Sequence, residues 1–101
     1  EMDVVADRIT WSREQLRIHG LDAARAPRTE AEFLALVHPD DRARVVAAMT
    51  RLRDVGIPFA IEYRIVRPDG EVRLLRAPGQ LVPGPDGRLT RMIGTSRDIT
   101  D

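Results

Sequence analysis

Residues 59–100, FAIEYRIVRPDGEVRLLRAPGQLVPGPDGRLTRMIGTSRDIT, constrain the fold more than any other stretch of the chain. Phe59, Ile61, Tyr63 and Ile65 alternate with Ala60, Glu62, Arg64 and Val66. A period of two with one apolar side marks a half-buried strand. Asp69-Gly70 then offers a hairpin turn, since glycine accepts the positive φ that such turns need. A second strand is predicted from about Val72 to Val82, followed by a turn in Pro83-Gly84-Pro85-Asp86-Gly87. A third, about Leu89 to Ile99, completes an antiparallel meander. A sheet with one apolar face needs a cover, and the first half of the chain must supply it.

That half reads as two short strands and three helices. Met2–Val5 and Arg8–Trp11 are strand candidates separated by Ala6-Asp7. Ser12 with Gln15 has the form of a capping box, and Gly20 stands where a helix begun there would stop. Residues 21–28 lack periodicity and read as loop or one loose turn. Thr29 with Glu32 repeats the capping pattern and opens a helix to about Val37, with Phe33, Leu36 and Val37 on one side. His38-Pro39-Asp40-Asp41-Arg42 begins the main helix, with Pro at its first position and two acids at the positive end of its dipole. Val45, Met49 and Leu52, with Val46 beside them, form its apolar stripe, and Gly56 and Pro58 end it. About seventeen helical residues span roughly 25 Å, and about eight strand residues roughly 26 Å. The helix can therefore lie along the first strand of the meander. The expected class is α+β, with helices over one face of an antiparallel sheet.

Composition narrows the function. The 101 residues suffice for one domain with a single core. Sixteen acids balance sixteen bases, so no net field attracts nucleic acid or an anionic membrane. Every base is Arg, which fits a biased genome composition better than a binding device. Apolar runs of about five residues fall far short of the ~20 that cross a bilayer. The absence of Cys removes disulfides, thiolate nucleophiles and Cys-bound metal. The chain lacks an initiating Met and stops right after Asp98-Ile99-Thr100-Asp101, which reads as a segment of something longer.

Several residue words, in this order, resemble the PAS sensory domain, in the subgroup with a C-terminal PAC-type meander. They are Asp7-Arg8-Ile9-Thr10-Trp11-Ser12, the His38 to Arg42 box, Glu62-Tyr63-Arg64 with Pro68-Asp69-Gly70, and Ile93-Gly94 followed by Asp98-Ile99-Thr100. The resemblance covers nearly the whole chain. It implies a five-stranded antiparallel sheet with short helices and one main helix covering one face, and a pocket between them. It also implies a missing N-terminal helix, a clipped first strand, and an output domain joined beyond residue 101. The parent is expected to be a bacterial, cytoplasmic signal-transduction protein: a sensor histidine kinase of a two-component phosphorelay first, a cyclic-dinucleotide enzyme second.

Candidate site residues follow from alternation and from the resemblance together. Ile61, Tyr63, Ile65, Leu75, Ala77, Met92, Gly94 and Ser96 are expected to face the pocket, with Tyr63 and Ser96 as its polar handles. Haem is disfavoured because residues 43–55 contain no His to hold the iron. A light-driven flavin adduct needs a Cys, and a non-covalent flavin needs a more polar wall. No cofactor is therefore expected; the core is filled or holds an unidentified small ligand. His38, Asp40 and Asp41 read as a polar helix start rather than a metal cluster, and His19 as a structural residue at a helix end, where a cation suits the dipole, rather than a site. Outward, Val66, Val72, Leu74 and Ile93 are apolar among Arg91, Arg97 and Arg76, a mixture that suits a homodimer interface. Asp98 and Thr100 lie at the exit toward the output domain, where their side chains can fix the departing chain. Two other readings stand beside the sensor. One is a small isomerase or dehydratase, for which the inward list offers only Tyr63. The other is a dimerisation spacer with no ligand.

Overall fold

The computed structural model describes residues 1–100. Within them the strands are β1 (Met2–Asp3), β2 (Arg8–Ile9), β3 (Phe59–Val66), β4 (Val72–Pro83), β5 (Leu89–Ile93) and β6 (Arg97–Asp98). The helices α1 (Arg13–His19), α2 (Glu30–Leu34) and α3 (Arg42–Val55) lie between the second and third strands. The sheet is antiparallel, in the order β2-β1-β5-β4-β3, with β6 also paired to β4. The expected α+β class is thus the observed one.

Local chemistry explains the turns. Gly70 closes the β3–β4 hairpin at φ +88°, its N–H donating to the Arg67 carbonyl at 2.8 Å. Asp69 accepts from the Glu71 N–H across the same turn. Ser12 caps α1 through the Gln15 N–H, and Gly20 ends it in the left-handed region at φ 69°. Thr29 caps α2 in the same manner. Residues 21–28 hold one 3-10 turn, Ala23–Arg25, capped by Asp22.

The main helix is shorter than the spacing predicts. Pro39–Asp41 forms a 3-10 turn, and the α-helix begins only at Arg42. The reason lies in Asp41, whose carboxylate is drawn off to the sheet. It accepts from the Arg64 backbone N–H at 2.7 Å and from the Arg64 guanidinium at 3.0 and 2.9 Å. The Arg64 hydrogen bonds, though opposed by burial, hold its carboxyl far below the usual carboxylate range. His38 N–H donates to the Arg64 carbonyl, and Val66 N–H to the Leu36 carbonyl. Segment 36–41 thereby covers the outer edge of β3, which would otherwise present unpaired backbone groups. Arg44 reaches the Glu62 carbonyl further along the same edge. At the opposite edge, Ile9 N–H donates to the Arg28 carbonyl.

The core lies between the helices and the inner face of the meander. Val37, Leu52, Ile65 and Leu75 are fully buried, with Val45, Met49 and Tyr63 beside them. Val46 is a correction to the expected stripe: it is 39% exposed, because Val45, Met49 and Leu52 already take the one face α3 turns to the sheet.

The predicted third strand is also corrected, for it breaks into β5 and β6 at Gly94-Thr95-Ser96. Gln80 pairs with Ile93 and Leu75 with Asp98, so one register runs through the gap and Pro78 stands opposite Thr95. Pro78 turns its carbonyl toward Gly94, where an added Cβ would meet that oxygen at 2.1 Å. A residue's N–H and C=O leave an antiparallel strand on the same side, and proline has no N–H to give. The ladder lapses where its donor is missing.

Candidate functional site

The inner face of the meander is floored with small side chains where it meets the N-terminal elements. Ala77, Gly79, Gly94 and Ser96 leave a cavity of about 100 Å³ above them. Its walls come from every layer: Met2 and Ile9 from the first two strands, Trp11 and Gln15 at α1, Phe33 of α2, and Val45 and Met49 of α3. Phe59, Ile61, Tyr63 and Met92 complete it. The chain has four aromatic residues and three methionines. All seven line this one cavity. Trp11 and Phe33 meet edge to face at 6.2 Å between ring centres, as do Phe33 and Tyr63.

Of the pocket residues expected from the sequence, Ile61, Tyr63, Ala77, Met92, Gly94 and Ser96 border the cavity. Ile65 and Leu75 are fully buried but lie beyond it, under the helices. Trp11, Gln15, Phe33 and Phe59 were not among the expected pocket residues, although the first three form the wall opposite the sheet. Phe59 and Gly79 are cross-strand partners, and the Phe59 ring occupies the space of a Gly79 side chain.

The polar groups at the cavity are few. Burial raises the pKa of the Tyr63 phenol, and a hydrogen bond with the Ser96 hydroxyl works in the other direction. The Gln15 Oε1 is buried without a hydrogen-bond partner. Behind this wall His19 is buried and stacked on Trp11 at 4.2 Å. Its Nδ1 bonds to the Gln15 carbonyl at 2.8 Å, and its Nε2 has no partner. Burial lowers its pKa, the Gln15 hydrogen bond opposes this, and the Arg67 charge adds to the lowering. The helix-end position expected to favour a cation thus holds an interior imidazole, packed against Trp11 and with its pKa lowered by burial. His38 accepts from the Asp40 N–H and takes no part in the cavity wall.

The chain exit is clasped to the middle of the sheet. Asp98 Oδ2 accepts from Arg73 Nε at 2.7 Å, and Asp98 Oδ1 accepts from the Thr100 N–H at 2.9 Å. Thr100 Oγ1 accepts from the Leu74 N–H at 2.7 Å and donates to the Leu74 carbonyl at 3.4 Å. Burial alone would raise the Asp98 carboxyl, but the bonds from Arg73 and Thr100 outweigh it and bring it down to about 2.

On the outer face, the register divides the expected interface residues. Val66 pairs with Val72, Arg64 with Leu74, and Ile99 N–H bonds to the Leu74 carbonyl, so Val66, Val72, Leu74 and Ile99 gather at one end. Ile93 is opposite Gln80, six positions further along β4 and roughly 20 Å away. An Arg76–Glu62 ion pair lies between them. The single arginine-ringed patch expected from alternation is two patches.

Comparison with known proteins follows the same outline. Residues 8–96 match the family model described as PAS fold. No curated protein matches the chain significantly. Among solved structures, a sensory box histidine kinase/response regulator from Burkholderia thailandensis E264 is 28% identical, with a TM-score of 0.77 over 98% of this chain and 73% of that one. The PAS domain of a GGDEF family protein from Chromobacterium violaceum is 38% identical, with a TM-score of 0.50 over 100% of this chain and 94% of that one. The N-terminal domain of a diguanylate cyclase with PAS/PAC sensor from Marinobacter aquaeolei shares the fold at 18% identity, with a TM-score of 0.85 over 98% and 91%. With six strands in this order, a cavity between sheet and helices, and a family match across residues 8–96, the chain belongs to the PAS fold family.

Proposed function

We propose that residues 1–101 form one sensory module of a larger signalling protein, in which a small ligand in the cavity alters a linked output domain beyond the last strand. The observation that carries this reading is the closeness of floor and exit. Gly94 and Ser96 border the cavity, and Asp98 and Thr100, two and four residues after Ser96, make the clasp to Arg73 and Leu74. A ligand that favours one placement of Ser96 over another acts on the strand that holds the exit. It can shift that exit only by binding the two arrangements unequally.

A sensor histidine kinase is the first choice of output and a diguanylate cyclase or phosphodiesterase the second. Both a histidine kinase and GGDEF proteins stand among the similar structures. In this reading the module itself catalyses nothing: beside thioethers, aromatic rings, an amide and hydroxyl groups, the one carboxylate among the described lining residues, Glu1, is paired with Arg91. The reading includes a cytoplasmic location, a homodimer through the outer sheet face, and a further N-terminal helix in the parent chain. No helix of the described residues is long and apolar enough to cross a membrane.

The test is Asp98→Ala in the full-length parent, with output activity measured against stimulus or ligand. Loss of regulation with the domain still folded is expected. Regulation unchanged from the wild type overturns the proposed route.

A further inference from the structure

Resting on the sensory reading above, we infer that the cavity selects a small, uncharged, single-ring aromatic compound carrying one hydroxyl group. Three observations lead there. The first is size. A cavity of about 100 Å³ compares with an apolar cavity of roughly 150 Å³ that holds benzene. One ring with a small substituent fits once the methionines adjust.

The second observation is the choice of wall. All four aromatics and all three methionines of the chain meet at this one site. Thioether sulfurs make favourable contacts with aromatic edges, and their flexible stems adapt to a guest's outline. Edge-to-face rings at Trp11, Phe33 and Tyr63 continue naturally onto a further ring between them. An aliphatic ring of equal volume forfeits these contacts.

The third is a free amide. Gln15 lines the cavity, and its side chain makes no hydrogen bond to the protein, with Oε1 buried. A buried polar group without a partner is costly, so a guest that supplies one gains affinity. The oxygen and nitrogen of an amide exchange by a half-turn of the terminal bond. A hydroxyl group, both donor and acceptor, satisfies whichever atom faces it. The charge of the guest is set by what surrounds it. Glu1 is the one charged residue among the described lining residues, and it faces Arg91 at 3.5 Å. Among the described residues, no arginine side chain lines the cavity to pair with an anion.

Four probes test this: phenol, benzene, cyclohexanol and benzoate, each titrated by calorimetry and ligand-observed NMR against the wild-type chain and Gln15→Leu. Phenol is expected to bind wild type roughly tenfold more tightly than benzene, the difference one hydrogen bond makes. In Gln15→Leu that advantage disappears while benzene binds as before, which also shows that the variant is folded. Cyclohexanol binds more weakly than phenol, and benzoate does not bind. If phenol and benzene bind equally and Gln15→Leu changes neither, the hydroxyl preference is wrong and the ligand-binding cavity survives. If cyclohexanol matches phenol, the aromatic preference is wrong. If none of the four binds, this inference is wrong, and the sensory reading is judged by Asp98→Ala alone.

Discussion

Arg73 Nε donates to Asp98 Oδ2 at 2.7 Å, and through it the second strand of the meander grips the last turn of chain before the exit. The two residues belong to the inner side of the sheet, since Leu75 pairs with Asp98 and Ile65 with Arg73. The pair is mostly sheltered, with side chains 28% and 19% exposed. The Asp98 carboxyl, brought down to about 2 from the ordinary 3.8, makes this contact a source of stability at neutral pH.

The sign of its pH dependence follows. The unfolded chain binds the Asp98 proton more readily than the folded one, so the contribution is complete above about pH 4 and lost as pH falls through about 2. The shift corresponds to roughly 2 kcal/mol. Asp98→Asn is expected to lower stability by about that amount at pH 7 and by little at pH 2, measured by urea unfolding at both. Asp41 has the same sign, so the Asp98→Asn variant still loses stability in acid. An equal loss at both pH values would show that the ion pair is not the cause.

The glycines at the cavity floor predict two different outcomes for the same change. Gly94→Ala drives a methyl into the Pro78 carbonyl at 2.1 Å, and backbone on both sides must shift. Gly79→Ala meets only the Phe59 ring, at 2.3 Å, which can swing aside. Overpacking of this kind costs about 1–3 kcal/mol. Gly94→Ala is expected at or above the upper end and Gly79→Ala at the lower. Thermal unfolding of both, and of Gly79→Ala with Phe59→Leu, checks this. The second substitution should recover part of the Gly79→Ala loss. No recovery would mean that the Phe59 ring is not what makes position 79 demand glycine.

The sheet side of this site was legible because a strand repeats every two residues: reading Tyr63 as inward places Ile61 and Ile65 with it. The opposite wall was not. Trp11 follows a two-residue strand and Gln15 sits in a seven-residue helix, too short for periodicity to show a face, and the stripe that put Phe33 on an apolar side did not say what it meets. One signal was available, namely that a chain with four aromatics and three methionines has reason to concentrate them. The break at Gly94-Thr95-Ser96 and the separation of Leu74 from Ile93 depend on register across strands. No single strand's pattern contains that. For His19 the helix end suggested a structural role, and what it did not show was the burial against Trp11.

His19 now predicts behaviour in mild acid. Its pKa is lowered by burial, with the Gln15 bond opposing and the Arg67 charge assisting, so the unfolded state takes up the proton first. Stability is full above about pH 6.5 and declines as pH falls toward the folded value. His19→Leu keeps an apolar group against Trp11 and removes the titration. Urea unfolding at pH 7.5 and 5.5 should show a fall for the wild type that is markedly smaller in the variant. Equal falls would place the proton uptake elsewhere.

The two patches of the outer face sharpen the test of self-association. Val72 is 45% exposed, and Val66, Leu74 and Ile99 share its end of the outer face, adjoining the exit clasp at Thr100. Ile93 stands beyond the Arg76–Glu62 pair with a narrower apolar surround. An interface core needs contiguous apolar area, with charge at its rim. Leu74→Glu should therefore weaken a homodimer by tenfold or more, a loss of about 1.4 kcal/mol, while Ile93→Glu weakens it less. Sedimentation equilibrium of the wild type and both variants reads this directly, with circular dichroism to show that the sheet persists. A wild type that stays monomeric at the highest concentration removes the outer-face homodimer altogether. A larger effect from Ile93→Glu instead moves the contact to the Gln80–Ile93 end of the outer face.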